Sequence, residues 1–177
     1  METLNTLISR HSVRTYNGES LLSSDLEKIL KAAKAAPVGL ALYDQMHLTV
    51  VNNRDFIANA DTATAAIMHR EGSNPTYNVP TLIFVSAKKQ DPMFTGMMIS
   101  SAAMIAHNMV LEATDLGLGA CYLWGVFSAV SNTPDLLAKL DLPDGYELLA
   151  AIGVGPTSET YEAREIPKDR ISVNIVD

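Results

Sequence analysis

The chain has 177 residues, of which 47% are hydrophobic, so one domain can bury a core without metals or disulfides. Its formal net charge of −7 argues against a nucleic-acid partner, because such partners require clustered basic surface. Cys121 is the only cysteine, which excludes an internal disulfide and a four-thiolate metal centre within one chain. We therefore expect a reducing compartment, the cytoplasm, and the first ten residues carry no long apolar stretch typical of a signal peptide.

The first half of the chain is predicted to alternate between helices and strands, since its hydrophobic spacing changes between the two periods. Ser24 and Glu27 have the spacing of a capping box, and Asn53 is placed as an N-cap. The elements in order are a helix over 2–9, an extended segment over 10–18, a helix from Ser24 that ends at Pro37 and Gly39, a strand from His47 to Val51, a helix from Asn53 toward Arg70, a loop over 71–79 and a doubly buried strand from Leu82 to Val85.

The second half is dominated by a long apolar helix, predicted from Met93 to Leu116. Its run from Met93 to Leu111 carries no charge and is long enough to span a bilayer. His107 and Asn108 would be costly in lipid, so we expect no membrane span and a helix buried inside the protein or a dimer. The other elements are a strand from Ala120 to Trp124, a short helix capped by Asn132 or Thr133, a strand from Glu147 to Val154, a polar stretch over 157–170 and a strand from Ile171 to Ile175.

This last strand follows a polar stretch, so we expect it to pair with something distant, such as a second subunit. The predicted organisation is therefore one domain over residues 1–155 and a C-terminal arm over residues 156–177 that extends to a partner subunit.

The clearest candidate site is the segment Arg10-His11-Ser12-Val13-Arg14. If the segment is extended, the side chains at 10, 12 and 14 project to the same side, because strand side chains alternate. The guanidinium group matches phosphate oxygens and serine adds a neutral donor, which favours an anion site, most simply for a cofactor phosphate. The alternative is a pair of solvated surface arginines with Ser12 as an ordinary cap.

Other catalytic and binding motifs are absent from the sequence. Gly117-Leu-Gly119 follows a helix, and Gly153-Val-Gly155 precedes Pro156 and no helix, so neither is a dinucleotide-binding turn. The four histidines lack metal-ligand spacing, and His107 is expected to be a hydrogen-bonded core residue. Cys121 lies between apolar residues, so we expect a buried and inert thiol, and we predict no metal site.

Six segments occur in a characteristic order along nearly the whole chain. They are Arg10-His-Ser-Val-Arg14, Ala36-Pro37, His47-Leu-Thr-Val-Val51, Thr81-Leu-Ile-Phe-Val-Ser86, the Gly117–Gly125 stretch Gly-Leu-Gly-Ala-Cys-Tyr-Leu-Trp-Gly, and Gly153-Val-Gly-Pro156 followed by Arg164. Together and in this order they resemble the FMN-dependent nitroreductase family.

The resemblance implies an α+β three-layer fold, with a central, mostly antiparallel sheet flanked by helices, in an intertwined homodimer. Two FMN molecules would lie at the subunit interface, and the C-terminal strand would cross to the partner's sheet. The implied activity is an FMN-dependent oxidoreductase that passes electrons from NADH or NADPH to a quinone, a nitro compound or a similar small acceptor by a ping-pong cycle. No catalytic side chain is expected, since the flavin carries the chemistry.

The same resemblance implies the cofactor contacts residue by residue. Arg10 and Ser12, joined by Arg164, would hold the phosphate, and Arg14 would be the cation at the pyrimidine end of the ring. His11 would contribute mainly its backbone. The remaining implied contacts are Leu123, Trp124 and Gly125 along the ring near N5, and Pro37, Val38 and Gly39 from the other subunit.

The sequence departs from the family between residues 38 and 47. Val38 stands where many relatives have serine, and Leu40 to Gln45 lacks their Pro-Trp segment. The acceptor and the nicotinamide preference therefore stay open. The alternatives are a flavin-binding dimer without turnover, and another flavin chemistry on the same fold, such as reductive dehalogenation or flavin breakdown.

Overall fold

The computed structural model describes residues 2–176, so Met1 and Asp177, the outer ends of the predicted domain and arm, lie outside the described residues. Helices and strands are mixed along the described chain, as the hydrophobic spacing predicts. In order they are α1 (Thr3–Ser9), α2 (Ser23–Lys34), β1 (Met46–Val51), α3 (Arg54–Ile67), β2 (Thr81–Lys88), α4 (Pro92–Asp115), β3 (Gly119–Tyr122), α5 (Trp124–Ser131), α6 (Pro134–Ala138) and β4 (Tyr146–Gly155), with short 3₁₀ turns at Gly39–Ala41 and Tyr43–Gln45.

The four strands form one antiparallel sheet in the order β1-β2-β4-β3. β2 lies in the interior of the sheet, and every residue from Thr81 to Ala87 is buried, which confirms the prediction that this strand is covered on both faces. In β3, Gly119 pairs with Gly155 and Cys121 with Gly153, so the two glycine-containing motifs of the sequence lie on neighbouring strands.

Helices cover both faces of the sheet. Ile83 and Val85 of β2 pack with α2 and α4, while Leu82 and Phe84 pack on the opposite face with α3 and α5. These four side chains are fully buried, and burying a side chain of this size contributes about 1.5–3 kcal/mol. The α+β three-layer architecture expected from the sequence is confirmed.

The long helix α4 is partly a core helix. Asp91 caps it by accepting a hydrogen bond from the N–H of Met93, and Gly117, with φ of +74°, lies in the left-handed region just past its end. Among the described helices, α4 is long and apolar enough to cross a membrane. The core helix of a soluble protein can have the same length and the same apolar composition. Its buried side faces the sheet, whereas Met93 and Ile99 on other sides are 82% and 50% exposed.

Two local predictions are wrong. The N-cap of α2 is Leu22, whose carbonyl accepts hydrogen bonds from the N–H groups of Asp25 and Leu26, so Ser24 and Glu27 lie inside the helix and form no capping box. Trp124 does not continue β3: the strand ends at Tyr122, and Trp124 is the first residue of α5, a helix that the sequence pattern did not reveal.

The strand predicted from Ile171 to Ile175 does not form within the described chain. Ile171, Val173 and Ile175 are 77%, 82% and 79% exposed, and residues 156–176 contain no strand. A strand needs a neighbour to supply its hydrogen bonds, and the chain's own sheet does not provide one for this segment. Pairing with a second chain stays a prediction.

Candidate functional site

The arginine segment, residues 10–14, runs beside the edge strand β3. The N–H of Val13 donates to the carbonyl of Ala120 at 3.0 Å, and the Val13 side chain is fully buried. Ser12 is half-buried and Arg14 exposed, so the segment directs its apolar residue inward and its polar neighbours away from the core. This arrangement agrees with the alternation expected of an extended segment.

Close approach of this segment requires glycine at position 119. A Cβ added to Gly119 would lie 2.7 Å from Cγ1 of Val13 and 3.1 Å from Cβ of Thr157. Real Cβ atoms do not come as close to another carbon as the contact with Val13, and the contact with Thr157 is tight, so any larger residue would push the segment or the arm outward. The glycine of the Gly-Leu-Gly motif therefore serves to seat the arginine segment, rather than to bind a pyrophosphate.

Arg10, Ser12 and Arg14 lie near enough to Cys121 to affect its ionisation. Burial raises the pKa of the Cys121 thiol, whereas the charges of Arg14 and Arg10 and a hydrogen bond from Ser12 oppose that shift. The thiol is 3% exposed, which confirms the expectation of a buried cysteine. Two cations and a hydroxyl therefore lie in the neighbourhood of one residue of the edge strand β3.

Arg14 is held by its neighbours. Its guanidinium lies 5.8 Å from the centre of the Tyr77 ring, and its Nη1 donates to the carbonyl of Ser12 at 3.4 Å. Tyr77, and then the charge of Cys121, raise the pKa of Arg14, so the cation persists at every physiological pH. Tyr77 has a positive φ of 57°, a costly backbone conformation for a residue other than glycine, and sequence reasoning had no signal for it.

Arg164 joins the segment from the C-terminal arm. Its Nε donates to the carbonyl of Ile8 at 2.8 Å, and its Nη2 donates to the carbonyl of Arg10. The family resemblance implied that Arg164 joins Arg10 and Ser12, and the structure places Arg164 against the backbone of Arg10. The guanidinium has further N–H groups beyond these two, and their role toward a phosphate stays a prediction.

Glu159 is a residue of the site that sequence reasoning missed. Its Oε2 lies 3.1 Å from Nε2 of His11, and its Oε1 accepts a hydrogen bond from the N–H of Arg14. Burial alone would raise the pKa of Glu159, but the hydrogen bonds from His11 and Arg14 lower it below its usual value. His11 also packs against Tyr161 with ring centres 4.9 Å apart, so its imidazole serves the arm, whereas we expected mainly a backbone role.

Leu123, Trp124 and Gly125 form the turn from β3 into α5. Leu123 is buried and its N–H donates to the carbonyl of Ala151, whereas Trp124 is 74% exposed. The first N–H groups of a helix have no intrahelical partner, and Leu123 provides no side-chain cap. The amides of Trp124 and Gly125 are therefore available donors, beside a cavity of about 120 Å³ that Tyr77 and Tyr122 also line.

Pro37, Val38 and Gly39 lie elsewhere on the chain. Val38 is buried in the core between α2 and α4, and the N–H of Gly39 donates to Oγ of Ser101 at 3.1 Å. A Cβ on Gly39 would collide with Met97 of α4. No described hydrogen bond joins these three residues to the arginine segment, so their expected role toward a second subunit stays a prediction.

His107 differs from the expectation of a core residue. It is exposed, although its Nδ1 lies 2.5 Å from Oη of Tyr122. Burial of part of the ring, followed by the nearby charge of Arg10, lowers the pKa of His107. No group of three or more potential metal ligands occurs among residues 2–176.

Comparison with curated proteins finds a relative in Archaeoglobus fulgidus, named "Putative NADH dehydrogenase/NAD(P)H nitroreductase". It is 27% identical over 169 residues, which cover 92% of this chain and 91% of that protein.

Solved structures share the fold over its full extent. A nitroreductase of Bacteroides fragilis, solved with bound FMN, matches with a TM-score of 0.82 at 24% identity, covering 99% of this chain and 100% of that one. A nitroreductase of Desulfitobacterium hafniense, also with bound FMN, matches with a TM-score of 0.82 at 23% identity and 99% coverage of both chains. The sequence profile of the Nitroreductase family matches residues 7–156. This range includes strands β1 to β4 and every site residue except those of the C-terminal arm. The chain belongs to the Nitroreductase family.

Proposed function

We propose that this protein is an FMN-dependent oxidoreductase that passes electrons from NADH or NADPH to a quinone, a nitro compound or a similar acceptor in a ping-pong cycle. The observation that carries the proposal is the grouping of Arg10, Ser12 and Arg14 near Cys121, just before α5 begins, with Arg164 hydrogen-bonded to the carbonyl of Arg10. The name of the A. fulgidus relative and the FMN bound in both compared structures support it.

The phosphate end would be held by Arg10 and Ser12, with Arg164 joining from the arm. Charge-assisted hydrogen bonds from guanidinium groups to phosphate are among the strongest hydrogen bonds that a protein forms. The arm orients Arg164 through the carbonyls of Ile8 and Arg10, and its remaining N–H groups would bind the same phosphate. The donor set of this region therefore fits a phosphate monoester.

The ring end would be held by Arg14 and by the turn at residues 123–125. When bound, FMN takes up two electrons from the nicotinamide and passes them to the acceptor. Arg14 would stabilise negative charge at the pyrimidine edge, and the amides of Trp124 and Gly125 would orient the opposite edge by hydrogen bonds. The exposed Trp124 ring would cover the site from water.

We further propose a cytoplasmic homodimer in which the arm crosses to the partner and residues 37–39 approach the partner's cofactor. Exposed apolar side chains on α4 and on residues 171–176 support this arrangement, because a soluble monomer rarely leaves such a surface uncovered. The free, buried thiol of Cys121 agrees with a reducing compartment.

The first test is the identity of the ligand released when the purified protein is denatured. We expect FMN by mass and spectrum, bleaching of its absorbance by anaerobic NADH or NADPH, and recovery of colour on addition of a quinone. Protein that fails to bind FMN even after incubation with it would contradict the proposal. Bound flavin that neither nucleotide bleaches would favour the non-catalytic dimer, and flavin fragments after exposure to oxygen would favour flavin breakdown.

A further inference from the structure

Tyr122 and His107 form a polar pair that the proposed function does not yet use. Tyr122 ends β3, and His107 lies on α4, where its Nδ1 is 2.5 Å from the phenol oxygen. The two rings are nearly parallel, with an interplanar angle of 16° and centres 6.4 Å apart. A hydrogen bond and a ring stack together fix the orientation of both side chains.

The pair opens onto a cavity of about 590 Å³ between α4, α5 and β4. Apolar side chains form the rest of its wall, with the Trp124 ring at one side. These are Ile99, Ala103, Ala106, Phe127, Leu149, Ala150 and Ala151. Tyr122 also lines the smaller cavity at the turn into α5, so this one side chain borders both cavities.

The surroundings favour the neutral form of both groups of the pair. Burial raises the pKa of Tyr122, an effect that Arg10 opposes and Cys121 reinforces. Burial and Arg10 lower the pKa of His107. Arg10 from the arginine segment and Cys121 from β3 are the ionisable groups of the described chain that act on the pair, and α5 and β4 present apolar side chains to it. A neutral phenol next to a neutral imidazole can donate a proton and recover it.

We propose that Tyr122 is a catalytic proton donor to the electron acceptor and that His107 is the positioning residue that reprotonates it. The proposal rests on the proposed function. Reduction of a quinone to a hydroquinone adds two electrons and two protons. NADH or NADPH supplies both electrons and one of the protons, together as a hydride. The second proton leaves the Tyr122 oxygen as an O–H bond forms on the acceptor.

Recovery of the pair completes the proton balance. The Nδ1–H of His107 transfers its proton to the Tyr122 oxygen while Nε2 of this exposed side chain takes a proton from water, and proton exchange with solvent then returns the ring to the Nδ1–H tautomer. The net reaction consumes NAD(P)H, one proton and the quinone, and gives NAD(P)⁺ and the hydroquinone. The pair thus replaces the expectation, drawn from the family resemblance, that no side chain takes part in the chemistry.

The test compares Tyr122→Phe with Tyr146→Phe in the flavin-loaded protein. Tyr146 is a matched control, because its hydroxyl also makes one hydrogen bond, to the carbonyl of Asp44, and its ring lies against His47. Each variant is assayed with a quinone and with ferricyanide, which accepts electrons without a proton. For Tyr122→Phe we expect the ratio of quinone to ferricyanide rates to fall about 100-fold, the scale of general acid catalysis, and no change for Tyr146→Phe. A ratio within about threefold of wild type in Tyr122→Phe would overturn the proposal.

Two further measurements separate His107 as a positioning residue from a purely structural one. In the apoprotein, ¹⁵N NMR should show the Nδ1–H tautomer of His107, with a resonance that moves in Tyr122→Phe and not in Tyr146→Phe. His107→Ala should lower the rate ratio, and His107→Gln, whose amide N–H can still donate to Tyr122, should restore part of it. An Nε2–H tautomer, or equal ratios in both His107 variants, would overturn the proposal.

The same measurements distinguish a failure of the proposed function from a failure of the role assigned to Tyr122. If wild-type protein binds no FMN, or if neither nucleotide bleaches it, the proposed function fails. If wild type is bleached and reoxidised but Tyr122→Phe keeps the wild-type ratio, only the role of Tyr122 fails.

Discussion

Oε2 of Glu159 lies 3.1 Å from Nε2 of His11, and this contact connects the C-terminal arm to the arginine segment. The same carboxylate accepts a hydrogen bond from the N–H of Arg14. The arm therefore fixes the backbone at the point where the candidate anion ligands arise. Consequences for pH dependence, cofactor affinity and assembly can be measured separately.

Glu159→Gln should change the pH dependence of stability. The pKa of Glu159 in the folded protein lies below its ordinary value of 4.5, so its stabilising effect is present above that pH and is lost as pH falls through the folded pKa. The free energy of unfolding of wild type should exceed that of Glu159→Gln at about pH 7, and the difference should shrink toward about pH 3. Urea denaturation across this range measures it, and a difference that grows on acidification would contradict the assignment.

Arg10→Ala should weaken FMN binding by about 1.5–3 kcal/mol, the scale of a charge-assisted hydrogen bond. Fluorescence titration of the apoprotein with FMN measures the loss. Arg54→Ala is the matched control, since Arg54 is an exposed arginine of α3 that donates to the carbonyl of Gly18, and it removes the same charge. Equal affinity in the two variants would remove Arg10 from the site.

Gly119→Ala should destabilise the fold by about 1–3 kcal/mol, because the new Cβ would collide with Val13. Gly96→Ala is the control: Gly96 lies in α4 with no atom near its added Cβ, and alanine there should raise stability by up to about 1 kcal/mol. Urea denaturation compares both with wild type. A Gly119→Ala variant with the stability of wild type would show that the arginine segment does not pack tightly against β3.

Deletion of residues 165–177 should weaken the proposed dimer, because the arm would lose the strand expected to pair with the partner subunit. Arg164 and its hydrogen bonds to Ile8 and Arg10 remain in this variant. Size-exclusion chromatography and sedimentation equilibrium against the full chain give the dissociation constant. An unchanged constant would show that the exposed apolar residues of the arm do not hold the subunits together.

The layers of the fold could be predicted from the sequence because they depend on long periodic patterns. The run from Leu82 to Val85 predicts a strand covered on both sides, and the charge-free run after Met93 predicts α4. The end of β3 could not be predicted, because a single residue, Leu123, separates the strand from α5. Ser24 and Glu27 have the spacing of a cap, but hydrogen bonding starts earlier, at the carbonyl of Leu22.

The site was only partly predictable for a similar reason. Arg10, Ser12 and Arg14 are close in sequence, so one extended segment brings them together. Glu159 reaches His11 from a polar arm without periodicity, and Tyr122 meets His107 across two elements, so neither contact leaves a local pattern. Such contacts follow from the packing of β3 against α4 and from the path of the arm.

The hydrogen bonds from Arg164 to Ile8 and Arg10 bear on how the chain folds. Arg10 and Arg164 are separated by 154 positions in the sequence, so their contact is non-local and forms only when the chain between them has folded. If both arginines hold the cofactor phosphate as proposed, a refolding chain would reach full affinity for the cofactor only after its sheet has assembled.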